Sequence, residues 1–168
     1  MSLLSFTSIS PCLWFDDDLE EAAAFYTGIF PNSSIGHLAR YTESGNGEPG
    51  KVMAGEFTID GTTFRGINGG PVHAQFTEAI SFSISCADQS EVDYYWDSLA
   101  DGGEESVCGW LKDRFGLSWQ IVPTRLYELV SDPDPARADA ATQAMLAMTR
   151  IVIADLEAAA DAVAPARP

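Results

Sequence analysis

Basic residues are scarce in this chain. Nine lysines and arginines stand against 25 aspartates and glutamates, a formal charge of −16 over 168 residues. Phosphate backbones and anionic headgroups repel such a surface, and no basic stripe overrides the total. Nucleic acid and membrane are therefore excluded as partners, and the charge reads as a solubility device. Cysteines number three, Cys12, Cys86 and Cys108, with no CxxC spacing among them. They read as small buried apolar side chains, with a reactive thiol as the alternative for Cys108 in the turn-rich SVCGW. No run approaches the roughly 20 apolar residues that cross a bilayer. The opening MSLLSFTSISPCLWFDDD has no basic region and leads straight into a strand pattern, so no signal peptide is expected and the cytoplasm is the default location.

What is present is ample apolar material. At 46% hydrophobic and 11% aromatic, the chain can build a core as one compact domain or as two fused modules. It also repeats itself. A short β-type run, Ile9 to Phe15, precedes Asp18 and Glu21, which are spaced as a capping box. Leu19, Ala22, Ala23, Tyr26, Ile29 and Phe30 follow at helical spacing, until Pro31-Asn32 stop the helix. The same order recurs 70 positions later. Ile80, Phe82 and Ile84 alternate with Ser81, Ser83 and Ser85; Asp88 and Glu91 take the capping positions. Val92, Tyr95, Trp96 and Leu99 mark a helix face that Gly102-Gly103 close. A duplicated strand–helix unit is the simplest account.

Each helix is followed by three strand patterns. In the first half they are Ser34 to Tyr41, Val52 to Ile59 and Thr62 to Asn68, with a hairpin signal at Asp60-Gly61 and a loop from Glu43 to Gly50. In the second half they are Glu104 to Val107, Gly109 to Lys112 and Ser118 to Val122, with Phe115-Gly116 in the last turn. A tail begins after Pro123. Asp134-Pro135 opens a helix running to about Met148, and a short run from Ile151 to Ile153 precedes an Ala-rich helix capped near Asp155. Met145 and Met148 share a helical spacing suited to core or dimer packing. The predicted class is α+β: two βαβββ modules forming a curled mixed sheet around a cavity, with a helical tail. The expected boundaries are 1–72, 73–124 and 125–168, all within one domain.

Four stretches carry a family resemblance: PCLWFDDDLEEAAAFYTGIFPNS, INGGP, FTEAISFSISCADQSEVDYYWDSLADGG and CGWLKDRFGLSWQIVP. They resemble the PhnB-like group, often labelled the 3-demethylubiquinone-9 3-methyltransferase domain, and the likeness extends into AMLAMTRIVIADLEAA of the tail. The resemblance implies the vicinal-oxygen-chelate fold of the glyoxalase and bleomycin-resistance superfamily, a cavity for a small molecule, and a homodimer. A methyl donor such as S-adenosylmethionine usually sits on a glycine-rich turn between strand and helix of a doubly wound sheet. Asn68-Gly69-Gly70-Pro71 leads into a loop instead. The methyltransferase label is accordingly read as a family name rather than an activity.

Metal-dependent members of the superfamily place His or Glu on the first and last strands of each module. Such ligands let a divalent ion polarise substrate oxygens while keeping open coordination positions. The first-strand ligand stands about seven residues before the cap aspartate, which here gives Pro11 and Ser81. The last strand of the second module offers Gln120 in DRFGLSWQ, and that of the first offers Gly66 or Asn68. Neutral amides and hydroxyls are poor ligands for such metals. No standard metal site and no cofactor are expected, although a divalent ion held by non-standard ligands stays open. His37 and His73 are the only histidines; His73 with Glu78 gives at most half a site.

Strand alternation separates the pocket from the core. Ser81, Ser83 and Ser85 are expected to face the pocket, and by the 70-residue offset so are Pro11, Leu13 and Phe15. Ser118 and Val122 share the face of Gln120. Asn68 joins this wall at the end of its strand. Trp14 and Trp119 point toward the helices, while Trp110 and Arg114 lie near the mouth. For Arg114, gripping a ligand and pairing with a carboxylate are equal readings. A mostly apolar wall with scattered hydroxyls and amides suits a neutral, partly aromatic ligand. The leading reading is a metal-free small-molecule-binding protein. The alternatives are a glyoxalase- or dioxygenase-like enzyme or a lyase or isomerase with non-standard ligands, and a dimeric interaction module with a vestigial cavity.

Overall fold

Alternating apolar and polar residues become two four-stranded mixed sheets, each carrying its own helix. The computed structural model describes residues 9–45, 47–72 and 76–163, so the expectation placed on His73 lies outside the described residues. The chain divides into two compact units, Met1–Ala74 and Gln75–Pro168. Both halves follow the predicted β-α-β-β-β order, with helices after the second.

The first unit contains β1 (Cys12–Phe15), α1 (Leu19–Ile29), β2 (Ser34–Arg40), β3 (Val52–Ile59) and β4 (Thr62–Asn68). The spatial order is β1-β4-β3-β2, with β1 parallel to β4 and the other pairs antiparallel. Helix α1 buries Leu19, Ala22, Ala23 and Tyr26, one face at helical spacing. The Tyr26 ring stacks on Phe57 at 6.1 Å between centroids, and Phe57 stacks on Phe64 at 5.6 Å. Helix and sheet meet closely because β4 carries Gly66, where a Cβ would overlap the Leu19 side chain. Asp60 and Gly61 both take left-handed backbone (φ 44° and 74°), as a two-residue hairpin turn requires.

The predicted capping box of α1 does not form. Asp18 occupies the N-cap but its side chain accepts no capping hydrogen bond. Asn68, at the end of β4, takes over: its Oδ1 accepts the Leu19 N–H at 3.0 Å, and its Nδ2 donates to the Val52 carbonyl at 3.0 Å.

The second unit repeats the topology with β5 (Ser81–Cys86), α2 (Gln89–Ala100), β6 (Glu104–Glu105), β7 (Trp110–Lys112) and β8 (Ser118–Pro123), ordered β5-β8-β7-β6. Here the cap aspartate does cap, and Glu91 reaches back to the residue before it. Asp88 accepts the Glu91 N–H at 3.1 Å, while the Glu91 carboxylate accepts the Ala87 N–H at 2.7 Å. Helix α2 buries Val92, Trp96 and Leu99. In the β7–β8 turn the buried Asp113 carboxylate accepts the N–H groups of Phe115 and Leu117 and the Trp119 indole N–H, at 2.9, 3.1 and 2.8 Å.

The tail holds one helix more than predicted. α3 (Thr124–Val130) follows β8 directly, before α4 (Pro135–Leu146) and α5 (Ile153–Asp161). Seven residues are too few for helical periodicity to declare itself in sequence. Val122, Leu126, Leu129, Ala141, Ile151, Leu156 and Ala160 form a shared core, with Met145 and Met148 packed against it. Polar contacts fasten the segment between α4 and α5 to the second module. Met148 and Thr149 carbonyls accept the Cys108 and Gly109 N–H groups, both at 2.8 Å. The Gln89 amide donates to the Ile151 carbonyl and accepts the Ile153 N–H. Arg150 pairs with Asp93 and Asp97 and lies 5.7 Å from the Trp96 ring centre. No helix among the described residues is long and apolar enough to cross a membrane.

Candidate functional site

Each sheet has one face under its own helix and one face turned away from it, and the far faces are where a ligand can reach. In the second module, register fixes their composition. Ser81 aligns with Ser118, Ser83 with Gln120, and Gln120 with Trp110, so these residues share the far face with Lys112. Phe82 contacts Trp119 on the helix side, 5.6 Å between ring centres, and Trp119 is buried there. Gln120 Nε2 donates to Ser81 Oγ at 2.8 Å, joining the two superfamily ligand positions to each other.

The first module departs from the expectation. Leu13 and Phe15 are 6% and 3% exposed and lie in the core, whereas Cys12 and Trp14 are exposed on the far face. Trp14 therefore does not point toward the helix; its indole N–H donates to the Gly70 carbonyl at 3.0 Å. A Cβ at Gly69 would overlap the Trp14 ring, so the Gly69-Gly70 pair accommodates this side chain. The 70-residue offset holds for the cap aspartates but not for the strands, where Leu13 and Phe15 take the helix-side face that Phe82 and Ile84 take in the second module. A difference of one residue in the spacing between strand and cap shifts the register by one, and such a shift exchanges the faces.

Asn68 is 5% exposed on the helix-covered side, and both ends of its amide are engaged within the first module. It belongs to the architecture of α1 rather than to a pocket wall. Arg114 pairs with the Asp101 carboxylate, and its Nε donates to the Asp101 carbonyl at 3.2 Å, which is the ion-pair reading of that residue. Cys12 is exposed, contrary to the buried reading; Cys86 is buried, and burial pushes its thiol up to about 12.

Two concavities lie on the far faces. The first module has a broad groove of about 1050 Å³ bounded by Cys12, His37, Ala39, Glu56, Arg65 and Ile67. Its main polar feature is the Glu56–Arg65 pair at 3.1 Å. The second module has a cavity of about 410 Å³ over β6, β7 and β8, lined by Glu78, Glu104, Val107, Trp110, Lys112 and Ser118, among others. Lys112 Nζ meets the Glu78 carboxylate at 2.5 Å. That hydrogen bond holds the Glu78 carboxyl below the usual carboxylate range and raises the Lys112 ammonium above its own. Ser118 lies in the wall at 1% exposure with no hydrogen-bond partner for its hydroxyl. It is the one such buried side-chain atom among the described residues.

Of the residues expected from sequence, the structure brings together Ser118 and Trp110 at this cavity, with Ser81, Ser83 and Gln120 on the same sheet face. Leu13, Phe15, Asn68 and Arg114 are elsewhere. Sequence reasoning passed over Lys112 and Glu104, although the alternation of Trp110, Leu111 and Lys112 puts Lys112 on the face of Trp110. Among the described residues no group of three or more His, Cys, Asp or Glu could hold a metal ion. The four positions expected from the superfamily carry Pro11, Gly66 or Asn68, Ser81 and Gln120, all neutral, and the last two are bonded to each other. This donor set does not fit the divalent ion of the superfamily.

Comparison with solved structures supplies relatives. A PhnB protein from Bacillus cereus is 33% identical, with a TM-score of 0.66 over 70% of this chain and 100% of its own. A protein from Pseudomonas aeruginosa is 18% identical, with a TM-score of 0.58 over 70% of this chain and 98% of its own. The fosfomycin resistance protein FosX from Listeria monocytogenes is 19% identical, with a TM-score of 0.52 over 75% and 97%; at that identity it shows the fold alone. No curated protein matches. The family described as 3-demethylubiquinone-9 3-methyltransferase matches residues 7–122, so the tail lies outside the matched segment, contrary to the likeness read in its sequence. With two βαβββ modules and a match over most of both, the chain belongs to that PhnB-like family and has the vicinal-oxygen-chelate fold.

Proposed function

We propose that this chain is a small-molecule-binding protein whose ligand sits on the far face of the second module, without the divalent metal of the superfamily. The observation that carries the reading is the 410 Å³ cavity, which has an aromatic wall at Trp110 and a polar floor at Ser118. Its volume falls within the roughly 300–1,000 Å³ of ordinary ligand pockets, and a few polar groups in an otherwise apolar lining are what fix a ligand's orientation. The two mixed sheets lack the strand–glycine turn–helix arrangement that seats a methyl donor in doubly wound folds, which supports binding over methyl transfer. A homodimer belongs to the same proposal on the strength of the family resemblance; Met145 and Met148, the expected contributors, pack within the second unit's own tail core. A cytoplasmic location suits three free thiols.

A ligand-observed NMR screen of small aromatic molecules tests the reading. Saturable binders are expected whose signal disappears in Trp110→Ala. A screen in which every binder survives that substitution overturns it. Metal analysis of protein purified without a histidine tag tests the other half. Well under one ion per chain and melting curves unmoved by chelator are expected; a stoichiometric ion whose removal destabilises the chain defeats the metal-free reading.

A further inference from the structure

The charge of the second module's cavity is lopsided in a way that the pairing of Lys112 makes decisive. Two carboxylates face it, Glu78 and Glu104, against one ammonium. Lys112 is already engaged by Glu78, and Glu104 stands opposite it across the β6–β7 ladder. Glu105, the next residue, turns to the other side of the sheet, where it accepts the Trp96 indole N–H at 2.8 Å. The cavity face thus carries a net charge of one minus after its cation is counted, within a chain whose overall charge is −16. An incoming anion would meet Glu104 and would have to displace Glu78 from Lys112. A cation meets neither obstacle.

Two further features suit a cation on an apolar body. The Trp110 indole forms part of the wall, and the face of an indole attracts ammonium and guanidinium groups more strongly than other rings do. Ser118 supplies a buried hydroxyl with no partner. A hydroxyl left unpaired in a sheet costs free energy that a ligand's N–H recovers by donating to it. An acidic rim alone would be an ordinary solvated surface. The orphan hydroxyl is the independent sign that something polar completes this wall.

We infer that the cavity over β7 and β8 binds small organic cations, an ammonium or amidinium carried on an aromatic or aliphatic body, with Ser118, Glu104 and the Trp110 indole taking the cationic head and Val107 the body. The inference rests on the reading of this cavity as a ligand site and adds the chemical class.

Three probes sharing one ring test it by chemical-shift titration of the full chain at neutral pH: benzylammonium, benzyl alcohol and phenylacetate. Benzylammonium is expected to bind about tenfold or more tightly than benzyl alcohol, with phenylacetate weakest. Glu104→Gln should weaken benzylammonium several-fold and leave benzyl alcohol unchanged. Ser118→Ala should weaken benzylammonium while leaving the melting temperature level or higher, because it removes an unpaired buried hydroxyl. A lower melting temperature with unchanged binding would assign the hydroxyl a structural partner and overturn its role. Equal binding of benzyl alcohol, or tighter binding of phenylacetate, overturns the cation class but keeps the cavity as a ligand site. Failure of all three probes overturns the inference, and the ligand-site reading falls with it only if the aromatic screen also finds nothing.

Discussion

The two modules share a topology and solve the same local problems with different residues. Module one caps its helix from a distance, through the Asn68 amide at the end of β4, and leaves Asp18 without a capping bond. Module two caps its helix locally, through Asp88 and Glu91, and sets a buried carboxylate in the β7–β8 turn, where Asp113 gathers three donors. What a duplicated sequence pattern preserves is the need for a partner at each orphan N–H, not the residue that meets it. The difference extends to the far faces: the groove of one module carries the self-contained Glu56–Arg65 pair, and that of the other carries Glu78, Glu104, Lys112 and the unpartnered Ser118 hydroxyl.

Substitutions at these organisers separate the two designs. The largest effect is expected from Asp113→Ala, which strands two backbone N–H groups and the Trp119 indole in a buried turn and costs about 3–4 kcal/mol by urea denaturation. Asn68→Ala comes next, at about 2–3 kcal/mol, since Leu19 N–H and the Val52 carbonyl both lose a buried partner. A cost below about 0.5 kcal/mol for Asn68→Ala would show that α1 is capped by other means. The smallest effect sharpens the comparison most: Asp88→Ala should lower the melting temperature by a few degrees and Asp18→Ala should leave it unmoved. Asp88 also predicts a pH dependence. The hydrogen bond from Ser90, with that from the Glu91 backbone, holds its carboxyl below the ordinary aspartate range. Its contribution is therefore present above that ordinary range and fades as pH falls through the lowered value. The difference in melting temperature between wild type and Asp88→Ala should shrink on acidification, and a difference constant down to strongly acidic pH would contradict the cap.

The architecture was legible because periodicity and turn chemistry agree over long stretches. Helices α1 and α2, the Asp60-Gly61 hairpin and the Asp134-Pro135 start of α4 all lie where their residues put them. The site was legible only on the strands whose register the sequence pins. Alternating serines mark β5 without ambiguity, and Ser118, Gln120 and Trp110 follow from pairing with it. Strand β1 has apolar residues on both sides, Leu13 and Phe15 against Cys12 and Trp14, so its pattern does not distinguish the faces. The offset borrowed from the helices then chose the wrong one. Asn68 was read as a pocket residue because its distance from α1 in sequence, 49 positions from Leu19, hides its role as a cap. Glu104 and Lys112 were overlooked for a similar reason: their charges matter through Glu78, which pairs with Lys112 from outside the strands.

The anchoring of residues 148 and 149 to Cys108 and Gly109 has a bearing on how this protein diverges from its relatives. Cys108 borders the cavity, so part of that border is hydrogen-bonded to a stretch lying beyond residue 122, where the family match ends. Changes confined to the tail can thus retune the mouth of the pocket while every strand and helix of the inherited repeat stays as it was. On the proposed reading of that cavity, an appendix to the domain is in a position to revise selectivity.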